Sequence, residues 1–367
     1  MTRVAVSTIG RGVAVNRASG YLRILDLELG VVSFTVPAPE SRWRAQDPNP
    51  RGGVRGARGM AVHDGRFVLA GYEDLLVMDA SWAVVDRFVD PVLAGIHDIV
   101  ADERGIWATC SRGDVFALIG WNGTLDDWWT FRADSALAEA LDLRTVLPFD
   151  PSIDHRDPRG LLVRWSTVTL NGAGTSERGM LLSLGRVVDR GFRRRFLRRR
   201  LPPPPSFAVV ELPRGRPARE TAATLLLHRT DHAVDSPNHN PEEDGDLVVY
   251  NDSNRNVLVG WDRHEGREVH AVPIPGDPPF ARGLLRLDDG LWLVGSQRPL
   301  AVHAVDLERG RVVASHQLDG GEFECVYAIC PIPDDFDDPP QPPASDPYSF
   351  WGEYRGRSDG FTPIPQS

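Results

Sequence analysis

The sequence contains no lysine, and all 41 of its Lys and Arg positions are arginine. Codon usage in a GC-rich genome is the simplest explanation. The chemical consequence is that mechanisms with a lysine nucleophile or a lysine Schiff base are excluded. The 51 acidic residues give a formal charge of −10, which argues against a chain built to neutralise a nucleic-acid backbone. We therefore expect no nucleic-acid partner.

Cysteine is also scarce. The three residues Cys110, Cys325 and Cys330 are too few and too scattered for a disulfide framework or a zinc knuckle. If Cys325 and Cys330 share a strand, their odd separation puts them on opposite faces, so we do not expect them to pair.

Several familiar segments and motifs are missing. The N-terminus lacks the apolar stretch of a secretory signal, and no apolar run reaches the length of a membrane span. We therefore expect a cytoplasmic protein without a membrane span. There is no Walker loop, no Gly-x-Gly-x-x-Gly after a strand and no Gly-x-Ser-x-Gly elbow, so we expect neither a nucleotide cofactor nor a serine hydrolase triad.

The sequence is rich in turn residues, with 35 glycines and 30 prolines, and it repeats itself. Ala57-Arg58-Gly59-Met60 and Ala281-Arg282-Gly283-Leu284 each precede an Asp-Gly turn and an apolar run. Short strand-like runs recur in units of about 40 residues with four strands each, as in the blades of a propeller. The units begin near Gly59, His97, Asn171, His239, Gly283 and Val326.

The two ends of the chain predict how the ring closes. The last strand-like run, Glu324–Ile329, lacks three partners, and the N-terminal runs Val4–Thr8, Tyr21–Leu27 and Val31–Val36 supply them. A blade built from both termini leaves no open edge. The predicted fold is therefore all-β, a six-bladed β-propeller closed by a blade shared between the N- and C-termini.

The predicted propeller spans residues 1–332, with insertions near 133–165 and 185–205, and one short helix is predicted near Asp134 to Leu143. The second insertion carries an arginine cluster that ends in a polyproline run. It could bind an anion, a nucleic acid, a membrane surface or a protein partner, although a solvated loop is the simpler interpretation. Residues 333–367 form an acidic, proline-rich tail whose aromatic end either docks on the propeller, which we favour, or contacts a partner protein.

The first strand of each blade lines the central channel of a propeller, so residues at these strand starts face a common point. They form a polar set: Arg58, His97, Asp98, Asn171, His239, Asn240, Arg282 and Tyr327. Arg58 and Arg282 occupy equivalent positions of the repeat, where two guanidinium groups could hold a carboxylate or phosphate. The alternative is that each Arg-Gly pair braces its neighbouring blade.

His97 and His239 are candidate ligands of one divalent metal ion, whether Ca, Mg, Zn or Fe, with oxygen ligands from Asp98 or the asparagines. The competing interpretation is a pair of hydrogen-bonded channel histidines with structural roles.

These landmarks, together with Leu170-Asn171-Gly172 and Asn251-Asp252-Ser253, resemble those of an uncharacterised group of bacterial six-bladed propellers. More distantly, the layout is similar to NHL-repeat and gluconolactonase-like propellers. The resemblance implies a propeller fold and, in some relatives, a metal-dependent lactonase or lyase with its metal in the channel. Thr169 stands where a third histidine might precede Leu170-Asn171, which departs from a three-histidine site.

The sequence therefore leads to two functional hypotheses. The first is a metal-assisted lyase or hydrolase acting on a small anionic metabolite in the channel. In it His97, Asp98 and His239 are catalytic, His97 and His239 bind the metal, and the substrate is bound by Arg58, Arg282, Asn171, Asn240 and Tyr327. The second is a non-catalytic ligand-binding or protein-interaction scaffold, whose partners would meet the tail or the arginine-rich loop.

Overall fold

The computed structural model describes residues 3–11, 18–46, 54, 56–143, 149–157, 168–188, 205–231, 234 and 236–355. The short, β-branched and aromatic runs between Gly-rich turns form strands, as their composition favours. The strands of the first half are β1 (Arg3–Gly10), β2 (Tyr21–Asp26), β3 (Val31–Pro37), β4 (Met60–His63), β5 (Arg66–Ala70), β6 (Asp74–Met78), β7 (Val84–Val89), β8 (Ile96–Asp102), β9 (Gly105–Cys110), β10 (Val115–Gly120) and β11 (Leu125–Thr130).

The strands of the second half are β12 (Leu170–Thr175), β13 (Gly179–Val187), β14 (Ser206–Pro213), β15 (Thr224–Arg229), β16 (His239–Asp244), β17 (Leu247–Asp252), β18 (Val257–Asp262), β19 (Arg267–Pro273), β20 (Arg282–Arg286), β21 (Trp292–Gly295), β22 (Ala301–Asp306), β23 (Arg311–Gln317) and β24 (Glu324–Pro331). They form six antiparallel sheets of four strands each. We number these sheets as blades: blade 1 is β4–β7, blade 2 β8–β11, blade 3 β12–β15, blade 4 β16–β19, blade 5 β20–β23, and blade 6 β24 with β1–β3.

The ring closes through blade 6. Strand β24 pairs with β1 in antiparallel register, from Val4 opposite Pro331 to Gly10 opposite Glu324. A buried ion pair between Arg23 and Glu324 ties β2 to β24 inside this blade. The predicted six-bladed propeller with a closing blade made from both termini is confirmed.

The innermost strands β4, β8, β12, β16, β20 and β24 contact one another in sequence around a central channel. Hydrogen bonds cross most of the joints between their blades. They run from Ser7 Oγ to the Arg58 carbonyl (2.7 Å), from Arg58 to the Ile96 carbonyl (2.8 Å), from the Ala173 amide to Asp98 (3.3 Å), from the Gly283 amide to Asn240 (3.0 Å) and from the Val326 amide to the Ser296 carbonyl (3.3 Å). Several residues at the strand starts therefore have a structural role in the ring.

The core lies between blades, where apolar side chains of neighbouring sheets interdigitate. Trp107 of blade 2 stacks on Phe116 at 4.7 Å and joins a cluster that reaches the buried leucines of blade 3. Cys325 and Cys330 are free and lie in two different apolar clusters. The expectation that they face opposite sides of β24 is wrong, because a bulge in β24 adds a residue between them. They lie opposite Ile9 and Ala5, which share one face of β1.

The insertion after blade 2 contains the predicted helix, α1 (Ser135–Ala140), which is capped by Asp134 through the Leu137 amide. The arginine cluster and Phe361 lie outside the described residues. No helix of the described residues is long and apolar enough to span a membrane.

The described part of the tail packs on blades 1 and 6. Phe336 and Trp351 are buried, and the Trp351 indole N–H donates to the Pro37 carbonyl at 2.8 Å. The Trp82 indole donates to the Asp337 carbonyl at 2.8 Å. The aromatic residues of the tail therefore extend the core of the propeller, as the favoured interpretation of the sequence predicts.

Candidate functional site

Several candidate site residues lie in or next to β-bulges of the innermost strands. The pairing register shifts between Ile96 and Ile99 in β8, Leu170 and Gly172 in β12, His239 and Glu242 in β16, and Arg282 and Leu284 in β20. A bulge leaves a residue without an opposite partner and turns its side chain away from the regular alternation. At two bulges the backbone is left-handed, with φ of 52° at Asn240 and 72° at Gly283, which asparagine and glycine tolerate.

One cluster of side chains forms at the end of the channel where the inner strands begin. It joins Arg58, His97, Arg282 and Tyr327 from four blades, with His239 nearby, and we call it the channel mouth. The Tyr327 hydroxyl lies 2.6 Å from His97 Nδ1, and an Arg282 nitrogen lies 3.2 Å from the same atom. Arg58 donates to the Tyr327 hydroxyl at 3.2 Å. The equivalent arginines of the repeat thus do converge.

These contacts determine which nitrogen of His97 carries the proton. A guanidinium group can only donate, so Nδ1 must accept from Arg282. The Tyr327 hydroxyl, which accepts from Arg58, also donates to Nδ1. The proton of His97 therefore sits on Nε2. Burial, followed by the positive charges of Arg58, Arg282 and Arg112, lowers the pKa of His97 well below its usual value, so the ring is neutral.

Arg282 is a buried cation that forms no ion pair within the described part of the chain, although the charge of Asp98 acts on it from a greater distance. Its side chain is 4% exposed, and its guanidinium carbon lies 3.2 Å from the centre of the Tyr327 ring. No carboxylate of the described residues lies within ion-pair distance, and the Nε atom has no hydrogen-bond partner among them. Burial lowers the pKa of Arg282. A buried charge is normally paired, because leaving water is costly.

His239 has the opposite proton arrangement. Its Nδ1 lies 2.8 Å from Ser253 Oγ, and that hydroxyl donates its only proton to the Ala281 carbonyl at 2.7 Å. His239 must therefore donate from Nδ1, which leaves Nε2 as a free base. Burial first, then the charges of Arg282, His97 and Arg11, lower the pKa of His239 well below its usual value. Two neutral histidines with opposite tautomers thus share this region.

Asp98 and Asn240 face the other half of the channel. Asp98 Oδ2 accepts from Asn240 Nδ2 at 3.0 Å and from the Ala173 amide, and it makes no hydrogen bond with either histidine. Both residues line a cavity of 310 Å³, which we call the lower cavity. Its walls are mostly apolar, with Met60, Val62, Leu284 and Ile329, and its polar residues include Glu242.

The carboxyl groups of the lower cavity are hard to ionise. Burial raises the pKa of Asp98 to about 6. Burial, and next the charge of Asp98, raises the pKa of Glu242 to about 8. No arginine of the described residues forms an ion pair with either group, so Glu242 is a neutral acid at pH 7.

Asn171 lies apart from both groups. It is fully buried, its Oδ1 accepts from Ser183 Oγ at 3.2 Å, and a Cβ atom at Gly185 would lie 2.2 Å from that oxygen. This hydrogen bond stays within blade 3, and none among the described residues joins Asn171 to another candidate residue.

The residues at the channel mouth do not fit a divalent cation. Nδ1 of His97 already accepts from two donors, its Nε2 carries the proton, and the neighbouring charges are guanidinium groups. Nowhere in the described residues do three or more His, Cys, Asp or Glu side chains gather in a way that could hold a metal ion. The chemistry of this donor set favours an anion instead.

Sequence reasoning missed three groups near the site: Arg11, Phe280 and Glu242. Arg11 follows β1, whose end pairs with the start of β24, so the predicted closing blade contained the signal for it. Glu242 was missed because the side-chain alternation of a regular strand places it on the opposite face of β16 from His239. Only the bulge between the two residues brings it into the channel.

The comparisons with known proteins agree with the fold. No family model matches the chain, and no curated protein matches it. A protein of unknown function from Bacteroides caccae is similar in structure, with a TM-score of 0.54 and 12% identity over 90% of this chain and 98% of its own. A chain of a nidogen/laminin complex has a TM-score of 0.53 and 10% identity, over 89% and 97%.

Virginiamycin B lyase from Staphylococcus aureus is more distant, with a TM-score of 0.46 and 10% identity over 72% of this chain and 71% of its own. At such identities the similarities to the first two structures show the propeller fold alone.

Proposed function

We propose that the protein binds a small carboxylate at the channel mouth and catalyses proton transfer at the carbon next to a carbonyl group of that ligand, without a metal ion. The proposal belongs to the lyase and isomerase class of chemistry, with the substrate anchored by Arg282 and the two histidines acting on it.

The observation that carries the proposal is the unpaired guanidinium of Arg282. A buried arginine with a free Nε–H and no carboxylate partner among the described residues is suited to a bidentate contact with an incoming carboxylate. Such a contact would supply the missing counter-charge and satisfy the unpaired donor. A mainly structural arginine would be expected to have its ion-pair partner within the protein.

The tautomers assign complementary roles to the histidines. His239 Nε2 would accept the proton, so the C–H bond breaks, an N–H bond forms and the electron pair moves toward the carbonyl oxygen. His97 would donate its neutral Nε2–H to that oxygen as negative charge develops there. Ser253 and Tyr327 are positioning residues, because each holds one ring in the required tautomer.

The test uses 2-oxobutyrate as the probe, with proton nuclear magnetic resonance in D₂O. We expect the purified protein to bind it and to accelerate loss of the C3 proton signal. His239→Gln should reduce this exchange by roughly 100-fold or more while binding persists. Arg282→Gln should weaken binding.

The matched control is Arg286→Gln, on the same strand as Arg282 but half-exposed and paired with Asp244 at 2.8 Å. It should change neither binding nor exchange. If 2-oxobutyrate, butyrate and glutarate all fail to bind the wild-type protein, the proposal is wrong. Binding with no exchange would instead leave a non-catalytic ligand-binding propeller.

A further inference from the structure

A second guanidinium group, that of Arg11, lies near His239 of the channel mouth. Arg11 follows β1, its guanidinium carbon lies 4.2 Å from the centre of the Phe280 ring, and its NH1 donates to Gln297 at 3.2 Å. No carboxylate of the described residues lies within ion-pair distance of Arg11. Phe280 in turn packs edge-on against His239, with 6.1 Å between the ring centres.

Arg11 and Arg282 act on the same groups. The charges of both lower the pKa of His239, and both also lower the pKa of Cys325, although burial, the larger effect, raises it. Both cations therefore act on His239, and Arg11 is joined to it through the ring of Phe280. Among the described residues, no carboxylate contributes to the shift of either channel histidine.

The contacts of the two guanidinium groups with aromatic rings and neutral polar groups do not compensate their positive charges. A cation–π contact is worth about 0.5–1 kcal/mol at an exposed site and a neutral hydrogen bond about as much. Two like charges near one buried histidine repel each other, and the repulsion is stronger in a poorly hydrated site than in water. A ligand with one anionic group would neutralise Arg282 and leave Arg11 without a counter-charge.

We propose that the natural ligand carries two anionic groups, one held by Arg282 and the other by Arg11 above Phe280, and that it belongs to the dicarboxylate class. The inference rests on the proposed function, since it names the substrate class of the same site. Arg11 is then a specificity-determining residue that selects diacids over monoacids.

The test compares each diacid of the series malonate, succinate, glutarate and adipate with its own monoamide, which has the same shape and one charge fewer. Calorimetry on the full chain should show at least one diacid binding tenfold or more tightly than its monoamide. Arg11→Gln should bring that ratio close to one while leaving the monoamide affinity unchanged. Arg11→Lys, which keeps the charge, should retain most of the preference.

The matched control is Arg3→Gln, at the opposite end of the same strand and paired with Asp338 at 2.7 Å, which should leave the ratio unchanged. If wild-type protein binds monoamides as tightly as diacids, the inference is overturned and the carboxylate site stands. If it binds neither series, both the inference and the proposed function are wrong.

Discussion

Replacing Glu242 with glutamine should stabilise the protein by an amount that grows as the pH rises above 4.5. The pKa of this carboxyl is raised from 4.5 to about 8 in the folded state, by burial in the lower cavity and then by the charge of Asp98. Below pH 4.5 the group is protonated in both the folded and the unfolded chain, so it has no effect. As the pH rises toward 8, the unfolded chain ionises freely while the folded chain must keep its proton, and stability is lost.

The size of this effect follows from the linkage between protonation and folding. At pH 7 the folded protein is destabilised by about 3 kcal/mol relative to acidic pH. Glutamine has a similar shape and no charge, so Glu242→Gln should recover that amount at pH 7. For a chain of this length the gain corresponds to a rise of roughly 4 °C in the midpoint of thermal unfolding.

The assay is thermal and urea denaturation of both proteins at pH 5 and pH 8, followed by tryptophan fluorescence. The variant should exceed the wild type by about 1 kcal/mol at pH 5 and by about 4 kcal/mol at pH 8. Glu308→Gln, at an exposed position of a hairpin turn, is the control and should show no such pH dependence. An equal difference between variant and wild type at both pH values would refute the reasoning.

Two further predictions concern the channel mouth and the tail. His97 should be neutral with its proton on Nε2 at pH 6.5, where an ordinary histidine is half protonated, because burial and three arginines lower its pKa. Nitrogen chemical shifts report this directly, and a half-protonated ring at that pH would contradict it. Trp351→Ala should destabilise the protein by about 3–5 kcal/mol, since it removes a fully buried indole. Urea denaturation measures this loss, and Phe323→Ala, at an exposed site, should have little effect.

The repeat predicted the fold because each blade is a local unit with its own turns. The predicted starts of the innermost strands lie within a few residues of those observed, and the closing blade followed from the leftover strand Glu324–Ile329. The hydrophobic pattern of the sequence predicts which segments form strands. The requirement that no sheet edge stay unpaired predicts how the ring of blades closes.

The candidate site was only partly predictable. Position-equivalent Arg58 and Arg282 do converge on Tyr327, as the repeat implied. Asp98, however, follows His97 directly and points toward the lower cavity, where it contacts Asn240. Strand alternation alone cannot assign the directions of these side chains, because the bulges change those directions. The geometry of each bulge is in turn set by contacts between blades.

The closing blade has a consequence for how the protein is made. Among the strands of the propeller β1 is synthesised first and its partner β24 last, since Val4 pairs with Pro331. During synthesis β1 therefore presents an unpaired edge until β24 emerges, and the ring cannot close before then. A circular permutant that begins at β4 and joins the old termini through a linker would make all six blades from contiguous sequence. It should fold faster than the natural order of strands while forming the same channel.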